Sequence, residues 1–160
     1  MWFRSYSTIS SMSNDSKLVL VVKRFDISLP LPEYKTAGAA GLDLVARLDV
    51  TIEPQSVGYV PLNIALELPT GYFALLAARS SLHKKGLMLA NGIGVGDYDY
   101  RGDGDEYTAA LYNFSQQTVA VTKGERLVQL LILPVARVQI SEKHQLENKD
   151  RGGFGSTGDK

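Results

Sequence analysis

The sequence predicts an all-β fold: an antiparallel sandwich, jelly roll or barrel. Short runs of β-branched residues and leucine recur at spacings of about 8–12 residues, divided by proline and glycine turns. Val60, Leu62, Ile64, Leu66 and Leu68 alternate without a fault, the period of a strand with one buried face. Almost nothing carries a helical period. Only 80–85, stopped by Gly86, suits a single helical turn.

Taken in order, residues 1–16 are serine-rich with one basic residue, Arg4. They lack the apolar stretch of a secretory signal and read as a disordered leader, or as sequence upstream of a working start at Met12. A faint likeness to a mitochondrial presequence rests on that one arginine. Residues 17–24 read as the first strand, and Pro30 and Pro32 break the chain after it. A small-residue turn over 36–44 enters a second strand. Leu48, Val50 and Ile52 alternate until Pro54. After 60–68, Pro69 to Gly71 turns the chain into a strand over 72–78. Residues 86–90 lead into a glycine-punctuated hairpin over 91–102. Residues 106–113 and 118–121 read as paired strands, and Lys123-Gly124 makes a turn. Residues 127–135 are almost wholly apolar, as a strand buried on both faces would be. Val138 and Ile140 close the set. The organisation expected is a leader over 1–16, one β domain over 17–148 and a mobile glycine-rich arm over 149–160.

The bulk numbers narrow the function. A chain of 160 residues suits one domain, and 44% hydrophobic residues allow a sizeable core. Lysine plus arginine equals aspartate plus glutamate at 17 each, so the basic excess of a nucleic-acid binder is missing. With no cysteine, disulfides, thiolate zinc sites and a cysteine nucleophile are excluded. His83 and His144 are too few for a histidine-rich metal site. No apolar run approaches the roughly 18–20 residues of a membrane span. Neither a nucleic-acid nor a membrane partner is expected, and the expected location is cytoplasmic, with residues 1–16 leaving a mitochondrial or nuclear one open.

Several stretches carry chemistry-bearing residues. In 91–102, Gly92, Gly94 and Gly96 alternate and are followed at once by Asp97, Tyr98, Asp99, Tyr100 and Arg101. Glycine at every second position of an extended run bares one face, so that something can approach the backbone. The plain alternative is a hairpin with a wet, charged tip. No helix opens after the glycines, so a dinucleotide fingerprint is rejected. Asp43, between apolar neighbours at a turn, is either a turn residue or an acid able to orient water on a hydrated magnesium. Arg79, Ser80 and Ser81 follow an apolar strand and offer N–H groups and hydroxyls to an anion, or a simple N-cap. The tail from Arg151 to Gly158 has P-loop spacing, but Asp159 stands where the lysine belongs, which rejects a Walker site. Its free N–H groups, two hydroxyls and arginine still suit a phosphate, and Phe154 suits stacking on a flat ring.

Together these segments resemble the trimeric deoxyuridine triphosphatase (dUTPase) family over roughly 30–158. Five ordered motifs carry the likeness: Ala40-Gly-Leu-Asp-Leu44, Ala78-Arg-Ser-Ser-Leu82, the stretch 91–102, Gly124-Glu-Arg-Leu-Val-Gln-Leu130, and Arg151-Gly-Gly-Phe-Gly-Ser-Thr-Gly158. The resemblance implies a distorted jelly-roll β-barrel that assembles as a homotrimer with shared active sites. It implies hydrolysis of dUTP to dUMP and pyrophosphate with Mg2+ on the triphosphate. By the same likeness, Asp97 is the general base. Asn91 and Gly94 read the uracil edge, and Tyr100 packs under the deoxyribose. Arg79, Ser80, Ser81 and Gln129 position the phosphates, and Asp43 holds the water shell of the metal. Arg151, Phe154, Gly155, Ser156 and Thr157 form a lid. The related dCTP deaminase, and a weakly catalytic nucleotide-binding protein on the same fold, are the alternatives. Three positions depart from the family pattern. Gly96 stands where isoleucine or valine is usual and is expected to remove a packing anchor beside Asp97. Ala78 replaces a common proline or glycine. Asp103-Gly104-Asp105 adds about three residues, read as a bulged turn or as an extra cation site.

Overall fold

The computed structural model describes residues 18–150 and Gly152. The leader and most of the arm lie outside these residues. Eleven strands are present among them, all paired antiparallel: β1 (Val21–Arg24), β2 (Leu42–Val45), β3 (Val50–Ile52), β4 (Val57–Pro61), β5 (Ile64–Glu67), β6 (Tyr72–Ala78), β7 (Leu87–Leu89), β8 (Gly94–Gly96), β9 (Thr108–Asn113), β10 (Val119–Val121) and β11 (Arg126–Pro134). They form sheets ordered β2-β11-β6-β8, β4-β9-β7, β1-β5 and β10-β3. The fold is an all-β, distorted jelly roll around one core. Its most buried side chains include Leu44, Ile52, Leu62, Leu111, Leu127 and Leu130. Among the described residues, no helix is long and apolar enough to cross a membrane.

The alternating run at 60–68 is buried as its period predicts, but it is two strands and not one. Val60 belongs to β4, which pairs with β9, whereas Ile64 and Leu66 belong to β5, which pairs with β1. The break is Asn63, which is buried and adopts a left-handed φ of +67°. Its side chain accepts the N–H of Asp26 at 2.7 Å and donates to the Asp26 carbonyl at 3.1 Å. Its own N–H donates to Glu106 Oε1 at 3.0 Å. Asparagine tolerates this conformation because its amide replaces a backbone turn. Asn63→Ala strands the two Asp26 groups and keeps the strained φ. The expected loss is about 2–4 kcal/mol, read by urea denaturation. A loss under about 1 kcal/mol would show that the junction contributes little.

Four other expectations are corrected. β9 and β10 do not pair: β9 lies between β4 and β7, and β10 lies against β3. The buried Asn113 turns the chain between those sheets, donating to the carbonyls of Ile52 and Gln117 and accepting from Ser115. The stretch 91–102 is not a self-paired hairpin, because only β8 is extended and its partner is β6. β11 is central, yet it is buried on both faces only at its start. Leu131, Ile132 and Leu133 are half-buried, and Val138 and Ile140 extend no strand and are exposed.

Candidate active site

Two grooves hold part of the sequence-predicted set, Asn91, Gly94 and Tyr100 in one and Arg79 and Ser81 in the other. The first, about 270 Å³, runs along β8 and is lined by Asn91, Gly94, Gly96, Tyr100 and Tyr107, with Leu76 at its base. Gly94 faces Leu76, whose Cβ would sit 3.0 Å from a β-carbon at 94, so strand backbone forms the wall. Asp97 follows β8 directly and is exposed. Its carbonyl takes the N–H of Tyr100 at 3.1 Å, which folds the chain back over the groove. The turn is braced on its far side. Thr70 Oγ1 and Arg101 Nη1 both donate to the Tyr98 hydroxyl, and the Arg101 guanidinium covers the Tyr98 ring. These donors hold the Tyr98 phenol below its ordinary range.

The extra residues after Gly102 form a tied turn. Asp103 pairs with Lys23 on β1 at 2.6 Å, and Asp105 accepts the N–H of Gly102 at 2.6 Å. Glu106 takes a two-pronged pair from Arg47, at 2.7 and 2.8 Å. Both added carboxylates therefore have partners, and the bulged-turn reading describes them.

The missing anchor at Gly96 is also corrected. The space is filled from the opposite side by Tyr107, whose hydroxyl would lie 2.3 Å from a β-carbon at 96. The bare face at 96 thus admits a side chain of the same chain. Burial pushes the Tyr107 phenol up to about 12, so it stays protonated at neutral pH.

The second groove, about 510 Å³, is lined by Arg79, Ser81, Lys84, Lys85, Glu125 and Arg126. Asp43 stands beside it with both carboxylate oxygens paired, to Arg79 Nε at 3.1 Å and to Arg126 Nη1 at 2.9 Å. Lys85 pairs with Glu125. Four cations against the two carboxylates Asp43 and Glu125 leave an excess of two positive charges, which suits a polyphosphate. Ser81 occupies the N-cap of the 3-10 turn Leu82–Lys85 but makes no side-chain cap, so the plain N-cap reading fails. Gln129 pairs with Asp43 across β11 and β2, and donates to the Ala78 carbonyl at 3.3 Å. Gly41 is close-packed on it: a β-carbon there would meet Gln129 Oε1 at 2.9 Å.

Arg126, in the fourth motif, is a site residue to which the resemblance assigns no role. The available signal was a charge opening an otherwise apolar strand. Of the arm, Arg151, Phe154, Gly155, Ser156 and Thr157 lie outside the described residues. As for magnesium, no group of three His, Asp or Glu side chains among the described residues could ligate it directly. Asp43 has lone pairs left after its two arginine bonds, so the donor set fits a metal reached through water.

The two grooves stand apart. Gly96 faces Ala74, five residues before Arg79, so Gly96 and Arg79 lie about 16 Å apart along β6 at the usual strand rise.

The dUTPase family model matches residues 28–158. The chain belongs to the dUTPase family. A deoxyuridine 5'-triphosphate nucleotidohydrolase from Hydrogenobaculum sp. (strain Y04AAS1) is 45% identical over 143 residues, covering 87% of this chain and 97% of that one. A crystal structure of the Streptococcus mutans dUTPase is 31% identical, with a TM-score of 0.68 over 74% of this chain and 98% of that one. A mutant dUTPase from phage phi11 of S. aureus shares the fold at 22% identity and a TM-score of 0.71, covering 81% of this chain and 99% of that one. That structure is described as coordinating a structural Mg(II) ion. Both grooves of this chain lie within the span that matches the dUTPase family.

Proposed function

We propose that this chain is a dUTP diphosphatase, converting dUTP and water to dUMP and pyrophosphate. The observation that carries this reading is the groove walled by β8 backbone with Asp97 at its rim, in a dUTPase-family chain that also holds a positively charged cleft. Gly94 backbone and Asn91 read the uracil edge. A site built to pair those polar atoms rejects a base that leaves them unpaired. Tyr100 packs under the deoxyribose and leaves no room for a 2′-hydroxyl. Asp97 accepts a proton from water as its oxygen attacks the α-phosphorus, and the bond to the bridging oxygen of pyrophosphate breaks. Arg79, Ser80, Ser81, Gln129 and Arg126 hold the phosphates. Asp43 would hold, through water, a magnesium ion on the triphosphate, and that ion would supply charge to offset what grows on the leaving group. Arg151, Phe154, Gly155, Ser156 and Thr157 close as a lid, with Phe154 over the base.

The separation of the two grooves supports a shared site in a homotrimer. In such a trimer a neighbour's Asp97 would meet this subunit's Arg79 across the subunit boundary. Exposed apolar side chains at Ile27, Val138, Ile140 and Leu146 suit burial by such neighbours. The test is release of pyrophosphate and ammonia from a panel of deoxynucleoside and ribonucleoside triphosphates, with and without magnesium. Pyrophosphate from dUTP alone is expected. Ammonia from dCTP would replace this reading with a deaminase.

A further inference from the structure

Gly96 and Tyr107 form one packing unit beneath the site. Gly96 is buried, and a β-carbon there would meet Tyr107 Oη at 2.3 Å, Cε1 at 2.6 Å and Cζ at 2.8 Å. Tyr107 cannot easily retreat. It is only 4% exposed. Its N–H donates to the Ile64 carbonyl, and its carbonyl takes the N–H of Leu62, both at 2.8 Å. On its other side the ring meets Tyr100 edge-on, at 5.5 Å between centroids and 68° between planes. Tyr100 is held in turn by its hydroxyl on the Glu106 carbonyl at 3.1 Å. The Tyr107 hydroxyl is buried with no hydrogen-bond partner, so it and the ring edge meet Gly96 by packing alone.

We propose that Tyr107 is a positioning residue for the reaction: its ring takes the place of the side chain that position 96 lacks, and by bearing on Gly96 and Tyr100 it sets where Asp97 and the sugar-facing ring stand. The inference rests on the dUTP diphosphatase reading above. A core void lets its lining shift or leaves contacts unmade. Here the lining is the backbone next to the proposed base and the ring that excludes the 2′-hydroxyl. A displacement of about 1 Å at a reacting group can cost roughly 100-fold in rate. Truncating Tyr107 should therefore reach both turnover and sugar selectivity, whereas a purely structural residue would change only the melting temperature.

The experiment compares the full-length chain with Y107F, Y107L, G96V and G96V/Y107L. For each, kcat and KM are measured with dUTP and UTP, together with thermal melting and binding of a non-hydrolysable dUTP analogue. Tyr107→Leu is expected to lower kcat for dUTP by about 10–100-fold. It should also narrow the dUTP-to-UTP ratio of kcat/KM while analogue binding changes less. Tyr107→Phe keeps the ring and should keep the ratio. Gly96→Val collides with the ring and should be impaired. In the double variant the new side chain occupies the vacated space, and activity should exceed that of either single variant at least about ten-fold, the non-additivity expected of two residues that share one space. The inference is overturned if folded Y107L keeps the parent rate and ratio, or if the double variant is no better than the worse single one. Should Y107L not fold, the double variant decides in the same way. A parent chain that releases no pyrophosphate from dUTP sinks the function itself, and this inference with it.

Discussion

Asp97→Asn is expected to bind dUTP nearly as the parent does and to turn it over roughly 10²–10⁴-fold more slowly, the usual contribution of a general base. The size of the effect follows from where Asp97 stands. It is exposed at the end of β8, beside the groove that takes the nucleoside and not in its wall. Its backbone carbonyl, and not its carboxylate, anchors the turn through the Tyr100 N–H. Asparagine preserves that anchor and the side-chain volume but cannot accept a proton at neutral pH. The loss should therefore fall on kcat, with little change in the affinity for an unreactive dUTP analogue. Stopped turnover with retained binding supports the assignment. Normal turnover in the variant would move the base elsewhere.

Mixing two inactive variants should restore activity. Arg79→Ala disables the phosphate cleft, and Asp97→Asn disables the base. If one site takes Arg79 from one subunit and Asp97 from another, a subunit carrying only D97N supplies an intact cleft. A subunit carrying only R79A supplies an intact base. Random reassembly of equal amounts should make roughly a quarter of the sites whole. The signal rises from near zero and is hard to mistake. The distance motivating it is the run along β6 from Ala74, opposite Gly96, to Arg79. Co-unfolding and refolding, followed by a pyrophosphate assay, reads the result. No recovery, with mixed oligomers shown to form, would mean that each chain builds its own site.

Much of this molecule is legible residue by residue. The strand at Tyr72–Ala78 follows directly from its composition, and Gly86 ends the short helical turn with a left-handed φ of +77°. The polar residues singled out at 43, 79–81 and 129 lie on neighbouring strands or their ends, because β2, β11 and β6 are adjacent. Other features were hidden. Asn63 cuts a faultless alternation without disturbing it, because a single left-handed residue redirects the chain yet leaves the same side chains buried. The partner of Gly96 is eleven positions away, at Tyr107 just before β9.

By itself the sequence determined the all-β class, most strand positions, the buried set and the residue types that can do chemistry. These are properties of local period and of side-chain identity. The tertiary structure alone decided which strands lie side by side, how Asp43 is shared between Arg79 and Arg126, and which ring fills the space at Gly96. It also decided that Asp97 and Arg79 stand at opposite ends of β6. The reason is that alternation tells which face of a strand is buried but not what covers it, and pairing is settled by contacts between residues far apart in the chain.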